Sequence, residues 1–224
     1  AAMQSGADAI HPGYGFLSEN AAFAQSVIDA GIGWIGPAPA SIMSMGEKAE
    51  AKRIAQQSGV PLLPGYFSSE EPTKEELITQ AKAVGFPLLL KATYGGGGRG
   101  IRLVNHANEL EQAVERATSE AKGAFGSGKL MIERYLPEAR HIEVQILGDS
   151  HGNVVHLYER ECSVQRRRQK VIEEAPSPYL SEKMRQKMCT AAVELARQIN
   201  YEGAGTVEFL VQGEEFFFLE MNTR

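Results

Sequence analysis

The sequence predicts an α/β protein that carries a smaller α+β unit, on three observations. Helix-length segments alternate with short apolar strands along the 224 residues. Gly95, Gly96, Gly97, Gly98 and Gly100 lie between Pro87-Leu88-Leu89-Leu90-Lys91 and Ile101-Arg102-Leu103-Val104, and both flanks read as strands. Near the C-terminus, Thr206 to Val211 and Phe216 to Asn222 read as an antiparallel hairpin closed by the Gln212 to Glu215 turn.

The elements follow in order. Ala1 to Gly6 reads as the end of a helix and Ala7 to Ile10 as a short strand. After a helix from Glu19 to Ala30, Gly33-Trp34-Ile35-Gly36 reads as a second, parallel strand of an α/β unit whose earlier strands are expected upstream of Ala1. Pro37 to Gly59 gives two short helices punctuated at Gly46, with Lys48 early in the second. Helix Lys74 to Val84, strand 87–92, the glycine run, strand 101–104, helix Asn108 to Ala124 and strand Lys129 to Tyr135 form the α+β unit. His141-Ile142-Glu143-Val144-Gln145-Ile146 alternates polar and apolar residues, so His141, Glu143 and Gln145 share one strand face. Asn153 to Glu159 is expected to pair with it across the Gly148 to Gly152 turn. An amphipathic helix then runs from its N-cap Ser181 to Ile199.

The glycine run formally contains G-x-G-x-x-G at positions 95, 97 and 100, but a strand opens after it where a dinucleotide site needs a helix. Ile101 stands where a Walker A loop has Lys-Ser/Thr. A flap of residues without Cβ atoms can close its backbone N–H groups over a polyphosphate, with Lys91 as a point charge beside it. This reading, a nucleoside triphosphate site, is favoured over a plain linker.

Composition sets the limits. The chain is 43% hydrophobic and 23% charged, as globular proteins are. No stretch approaches the ~18 apolar residues of a membrane span, and no secretory signal is visible, so an intracellular setting is expected. Cys162 and Cys189 lack metal or CxxC spacing and read as buried thiols. The net charge of −5 argues against general nucleic-acid binding. Arg166-Arg167-Arg168-Gln169-Lys170 is the local exception, but with Arg160 it makes five positive charges against four from Glu159, Glu161, Glu173 and Glu174. A substrate-anion site within a mixed-charge surface fits that pattern better.

In the C-terminal hairpin Glu208 and Glu220 come side by side, and the two-residue strand period puts Glu220, Asn222 and Arg224 on one face. Two carboxylates, an amide oxygen and a guanidinium then converge. Such oxygen ligands suit Mg²⁺ or Mn²⁺ holding a triphosphate. Glu220 and Asn222 also interrupt a run dominated by Phe and Leu, where burial without a partner is costly.

Several blocks carry a resemblance to a known family. His11-Pro12-Gly13-Tyr14-Gly15-Phe16-Leu17-Ser18-Glu19-Asn20, Lys91 to Gly100, Glu161-Cys162-Ser163-Val164-Gln165-Arg166-Arg167, Gln169-Lys170-Val171-Ile172-Glu173-Glu174-Ala175-Pro176 and Glu220-Met221-Asn222-Thr223-Arg224 resemble biotin carboxylase, the ATP-grasp component of biotin-dependent carboxylases. The resemblance runs along essentially the whole chain. It implies the ATP-grasp fold, with residues 1–35 the C-terminal remnant of a pre-ATP-grasp domain, 36–62 a helical linker, 63–135 a mobile lid and 136–224 the first part of the ATP-grasp body.

By that resemblance, Lys48 and Lys91 contact ATP phosphates beneath Gly95, Gly96, Gly97 and Gly98. Glu133 to Leu136, with Glu133, Arg134 and Leu136 as contacts, form an adenine hinge; His141 and Gln145 look toward the nucleotide pocket, and Gln165 and Arg168 lie nearby. Glu208 and Glu220 bridge the metal ions with help from Asn222, while Lys170 and Arg224 hold bicarbonate and the developing carboxyphosphate. The implied chemistry is ATP-driven activation of bicarbonate and carboxylation of carrier-bound biotin, with a biotin carboxyl carrier and a carboxyltransferase as partners. It further implies a homo-oligomeric full-length protein, in the cytoplasm or a mitochondrial matrix, with an acyl-CoA as the favoured final acceptor. Arg168 and Tyr94 depart from the family, which has His or Asn and a small residue there. The family's general base is expected in a Gln-Val-Glu segment beyond Arg224, so residues 1–224 alone are expected to be inactive. Another ATP-grasp ligase, such as a carbamoyl-phosphate synthetase relative, and a non-catalytic ATP-binding module are the alternatives.

Overall fold

The computed structural model describes residues 1–94, 100–167 and 169–224. Gly95, Gly96, Gly97, Gly98 and Arg168, all singled out above, lie outside the described residues.

Helix α1 (Ala2–Ser5) ends on left-handed Gly6. Strand β1 (Ala9–Ile10) pairs in parallel with β2 (Gly33–Trp34) on either side of α2 (Ala21–Asp29), as the α/β reading requires. Helix α2 starts later than the spacing predicts because the Asn20 side chain accepts from Phe23 N at 2.8 Å and caps it. Glu19 is therefore left outside the helix. Helices α3 (Pro39–Gly46) and α4 (Lys48–Gln57) follow, separated only by extended Glu47. Lys48 opens the second, and α4 buries Ala49, Ala51, Lys52, Ile54 and Ala55.

The α+β unit contains β3 (Gly65–Tyr66), α5 (Lys74–Val84), β4 (Leu88–Ala92), β5 (Ile101–Val104), a 3₁₀ turn at Ala107–Glu109, α6 (Leu110–Phe125) and β6 (Leu130–Arg134). Its strands pair antiparallel in the order β3-β6-β4-β5. The strands flanking the glycine run are neighbours, with Lys91 opposite Ile101. A reciprocal capping box between Thr73 and Glu76 starts α5. Leu77, Ala81, Leu88, Leu90, Val114 and Ile132 give this unit its own buried core, and each such large aliphatic side chain contributes about 1.5–3 kcal/mol. The two-residue β3 was not foreseen.

The second sheet holds β7 (Arg140–Gly148), β8 (Val154–Arg166), β9 (Gln169–Glu174), β10 (Gly203–Gln212) and β11 (Glu215–Asn222), ordered β11-β10-β7-β8-β9 and antiparallel throughout. Helix α7 (Glu182–Gln198), capped by Ser181 on Met184 N, covers one face with α4. Ile142, Val144, Ile146, Val207, Phe209 and Phe218 point into that core, and the alternating residues point away from it.

Two differences from the sequence reading matter for the site. Strand β8 runs on to Arg166, with left-handed Arg167 after it, and β9 pairs back along β8 with Gln169 opposite Arg166 and Lys170 opposite Gln165. Strand β9 is an edge strand, largely exposed, and its sequence therefore shows no buried face. Between β10 and β11, Glu208 pairs with Glu220 but Phe209 pairs with Phe218, leaving Leu219 of β11 as a bulge. The bulge lets Phe218 enter the core while Glu220 and Asn222 stay on the opposite face. No described helix is long and apolar enough to cross a membrane.

Candidate active site

The polar faces of β7, β8, β9, β10 and β11 converge on Glu208. Its carboxylate lies 2.6 Å from His141 Nε2 and 2.9 Å from Lys170 Nζ, and it accepts from Asn222 Nδ2 at 2.7 Å. Gln165 Nε2, which can only donate, lies 2.7 Å from His141 Nδ1; Nδ1 therefore accepts and Nε2–H is aimed at Glu208. Arg224 Nη2 donates to Asn222 Oδ1 at 3.3 Å. Lys170, Glu208, Asn222 and Arg224 thus form one chain of contacts.

Burial pushes the Glu208 carboxyl up, but His141 and Lys170 outweigh it and hold the group down to about 2. Burial also lowers Lys170, and contacts with Glu143 and Glu208 reverse this and raise it. Glu220 behaves oppositely: burial first, then neighbouring Glu208, raises its pKa. Two adjacent carboxylates, one of them driven toward protonation, form a donor pair that a hard divalent cation would relieve. Glu208 and Glu220 therefore fit Mg²⁺ or Mn²⁺, and Asn222, which here turns Nδ2 to Glu208 and Oδ1 to Arg224, would add its amide oxygen by a half-turn of the amide. The Glu143, Cys162 and Glu173 cluster does not. Burial, with the Glu143 charge, pushes the Cys162 thiol up to about 12, and Glu143 is already held by Arg160 and Lys170.

Glu19, Gly46, Lys48, Glu220, Asn222 and Arg224 line a cavity of about 370 Å³. Lys48 is desolvated there, which lowers its pKa against the pull of Glu220. Glu19, freed by the Asn20 cap, accepts from Thr223 N at 3.1 Å and lies 3.8 Å from Arg224 Nε. It ties the first α/β segment to the end of β11.

Lys91 is buried beside Glu133, whose other oxygen lies 2.5 Å from Lys52. The side chain of Glu133 thus serves as counter-ion to two lysines, and the pair holds it down to about 2 despite burial. Arg134 is not brought to this cluster; its guanidinium donates to Val84 O at the end of α5. The Arg134 and Tyr135 amides donate to Pro64 O and Pro87 O, and Leu136 follows directly after them.

Glu19, Lys52 and Glu143 were missed as participants. Glu143 accepts from Arg160 Nε at 2.5 Å and pairs with Lys170, so it fixes the lysine that also meets Glu208. Its signal was present in the strand face shared with His141 and Gln145. Lys52 sits one turn after Lys48 on the alanine-rich face of α4, where a lysine needs a buried partner.

Two antiparallel sheets joined through a cluster of lysines and glutamates, with paired carboxylates on a terminal hairpin, define a protein of the ATP-grasp class. Residues 1–42 match the biotin carboxylase N-terminal domain and residues 47–224 the ATP-binding domain of the carbamoyl-phosphate synthase L chain. The chain belongs to the biotin carboxylase family. It is 50% identical, over its whole length, to the alpha subunit of mitochondrial methylcrotonoyl-CoA carboxylase of Arabidopsis thaliana and 51% identical to mitochondrial pyruvate carboxylase of Rattus norvegicus, spanning 31% and 19% of those proteins. Among solved structures, the biotin carboxylase complex with βγ-ATP from Campylobacter jejuni matches the whole chain with a TM-score of 0.94 at 48% identity, and the chain covers 50% of it. The biotin carboxylase domain of Hydrogenobacter thermophilus 2-oxoglutarate carboxylase, in complex with MgADP and bicarbonate, matches with a TM-score of 0.93 at 47% identity, covered to 49%.

Proposed function

We propose that this chain supplies the ATP- and bicarbonate-handling part of a biotin carboxylase. The observation that carries the proposal is the pairing of Glu208 with Glu220 across β10 and β11, with Lys170 held against Glu208 and Arg224 against Asn222. A divalent cation on Glu208, Glu220 and Asn222 would neutralise charge on the triphosphate during phosphoryl transfer.

The side chains do the positioning. Lys48 and Lys91 bind phosphate oxygens. The chain at Glu133 to Leu136 receives the adenine, with His141 and Gln165 around the nucleotide. Lys170, oriented by Glu143, and Arg224, oriented by Asn222 and Glu19, hold the anionic oxygens of bicarbonate in line with the γ-phosphorus. One bicarbonate oxygen bonds to phosphorus as the bond to ADP breaks, giving carboxyphosphate. Its breakdown delivers CO₂ to the biotin ureido nitrogen, whose proton leaves with phosphate.

A biotin-bearing carrier and a carboxyltransferase are the partners this reaction needs. The relatives named for methylcrotonoyl-CoA, pyruvate and 2-oxoglutarate match at similar identity, which supports acceptor choice by a separate domain. In the native full-length chain, Mg-ATP hydrolysis is expected to require bicarbonate, and Lys91→Gln to raise the KM for ATP about tenfold or more. Bicarbonate-independent hydrolysis with an unaltered KM would favour a different ATP-binding role.

A further inference from the structure

Lys52 has a position that its part in core packing does not explain. Its Nζ lies 2.5 Å from Glu133 Oε1, donates to Phe218 O at 3.1 Å and sits 5.5 Å from the centre of the Phe218 ring, with the side chain only 3% exposed. Lys91 takes the other oxygen of the same carboxylate. Two lysines therefore share one buried glutamate. Phe218 O belongs to the outer edge of β11, beside the Leu219 bulge and two residues before Glu220. Lys52 thus reaches from α4 to β6 of the α+β unit and to the strand that bears the second carboxylate of the metal set.

We infer that Lys52 is a positioning residue that keeps Glu133 partnered when Lys91 turns to a phosphate, and so sets how readily Lys91 is released to the nucleotide. The inference rests on the ATP-binding reading above. A buried carboxylate that loses its sole counter-ion is strongly disfavoured. Were Lys91 that sole partner, each binding event would leave Glu133 bare. With Lys52 fixed on Oε1 and anchored on Phe218 O, Glu133 retains a cation in both states, and the shared charge weakens its hold on Lys91.

The test uses the native full-length chain and steady-state kinetics. Lys52→Met is expected to raise the KM for ATP about five- to tenfold, as contacting charges couple, with kcat and the KM for bicarbonate within twofold of wild type. Lys52→Arg, which keeps the charge, should recover most of that loss. Adding Glu133→Gln to Lys52→Met releases Lys91 and should bring the KM for ATP back toward the wild-type value. An unchanged KM for ATP in Lys52→Met, with only a lower Tm, would reduce Lys52 to core packing and overturn the inference. If Lys52→Met does not fold, the double variant decides: a KM for ATP above wild type overturns the inference, and one at or below it supports it. A wild-type protein that binds no ATP overturns the functional reading itself and this inference with it.

Discussion

Glu220→Gln is expected to lower Mg-ATP-dependent turnover about 10²- to 10³-fold while leaving Tm unchanged or higher. Burial and the Glu208 charge raise the pKa of Glu220, so its negative charge costs stability in the free protein and is useful only when a cation and a triphosphate are present. One charge pair at about 4 Å in an effective dielectric near 20 is worth roughly 4 kcal/mol before desolvation, enough to account for a loss of that size. Glu208→Gln should reduce turnover comparably. It differs in stability, because Glu208 also holds His141 and Lys170, although Lys170 keeps Glu143. Bicarbonate-dependent ATPase activity and thermal melts of both variants check this. Wild-type turnover in either would remove the paired carboxylates from the metal site.

Glu133→Gln is expected to produce the largest stability loss. It leaves Lys52 and Lys91, 3% and 6% exposed, without their counter-ion, which costs about 3–5 kcal/mol and lowers Tm by about 6–20 °C. The pH dependence follows from the same pair. Lys52 and Lys91 hold the folded Glu133 down to about 2 against burial, whereas an unfolded glutamate ionises near ~4.3. Its stabilisation is complete above that unfolded value and is lost as pH falls from about 4.5 toward 2. Glu208, also held down to about 2, acts in the same window. Melting curves from pH 7 to pH 2.5 should show wild type losing stability below about pH 4.5 and Glu133→Gln losing less of it. Equal acid sensitivity of the two would show that the triad is not a main source of acid lability.

What the sequence revealed depended on whether a residue's partner was encoded nearby. The strand period was enough to place His141, Glu143 and Gln145 on one face and to bring Glu220 beside Glu208, since both are consequences of alternation and of a short hairpin turn. The Leu219 bulge was hidden because three successive phenylalanines satisfy either strand face equally well. The β8–β9 hairpin was hidden because a charged edge strand has no buried side to alternate with. Lys52 and Glu133 are separated by eighty other residues in sequence and meet only after the α+β unit docks on α4 and β11. Each nevertheless left a trace, a lysine on an alanine face and a glutamate after Leu130-Met131-Ile132. Such traces report that a partner exists without saying which one.

The most direct test of bicarbonate activation and biotin carboxylation supplies the native full-length chain with Mg-ATP, free biotin and bicarbonate labelled with ¹³C and ¹⁸O. Attack of a bicarbonate oxygen on the γ-phosphorus places one ¹⁸O in the phosphate released for each ¹³C carried to the biotin ureido nitrogen. Mass spectrometry of both products is expected to find the two labels in a one-to-one ratio, and neither when Glu220 is replaced by glutamine. Phosphate without ¹⁸O, or ¹⁸O-labelled phosphate with no ¹³C on biotin, would contradict the assignment.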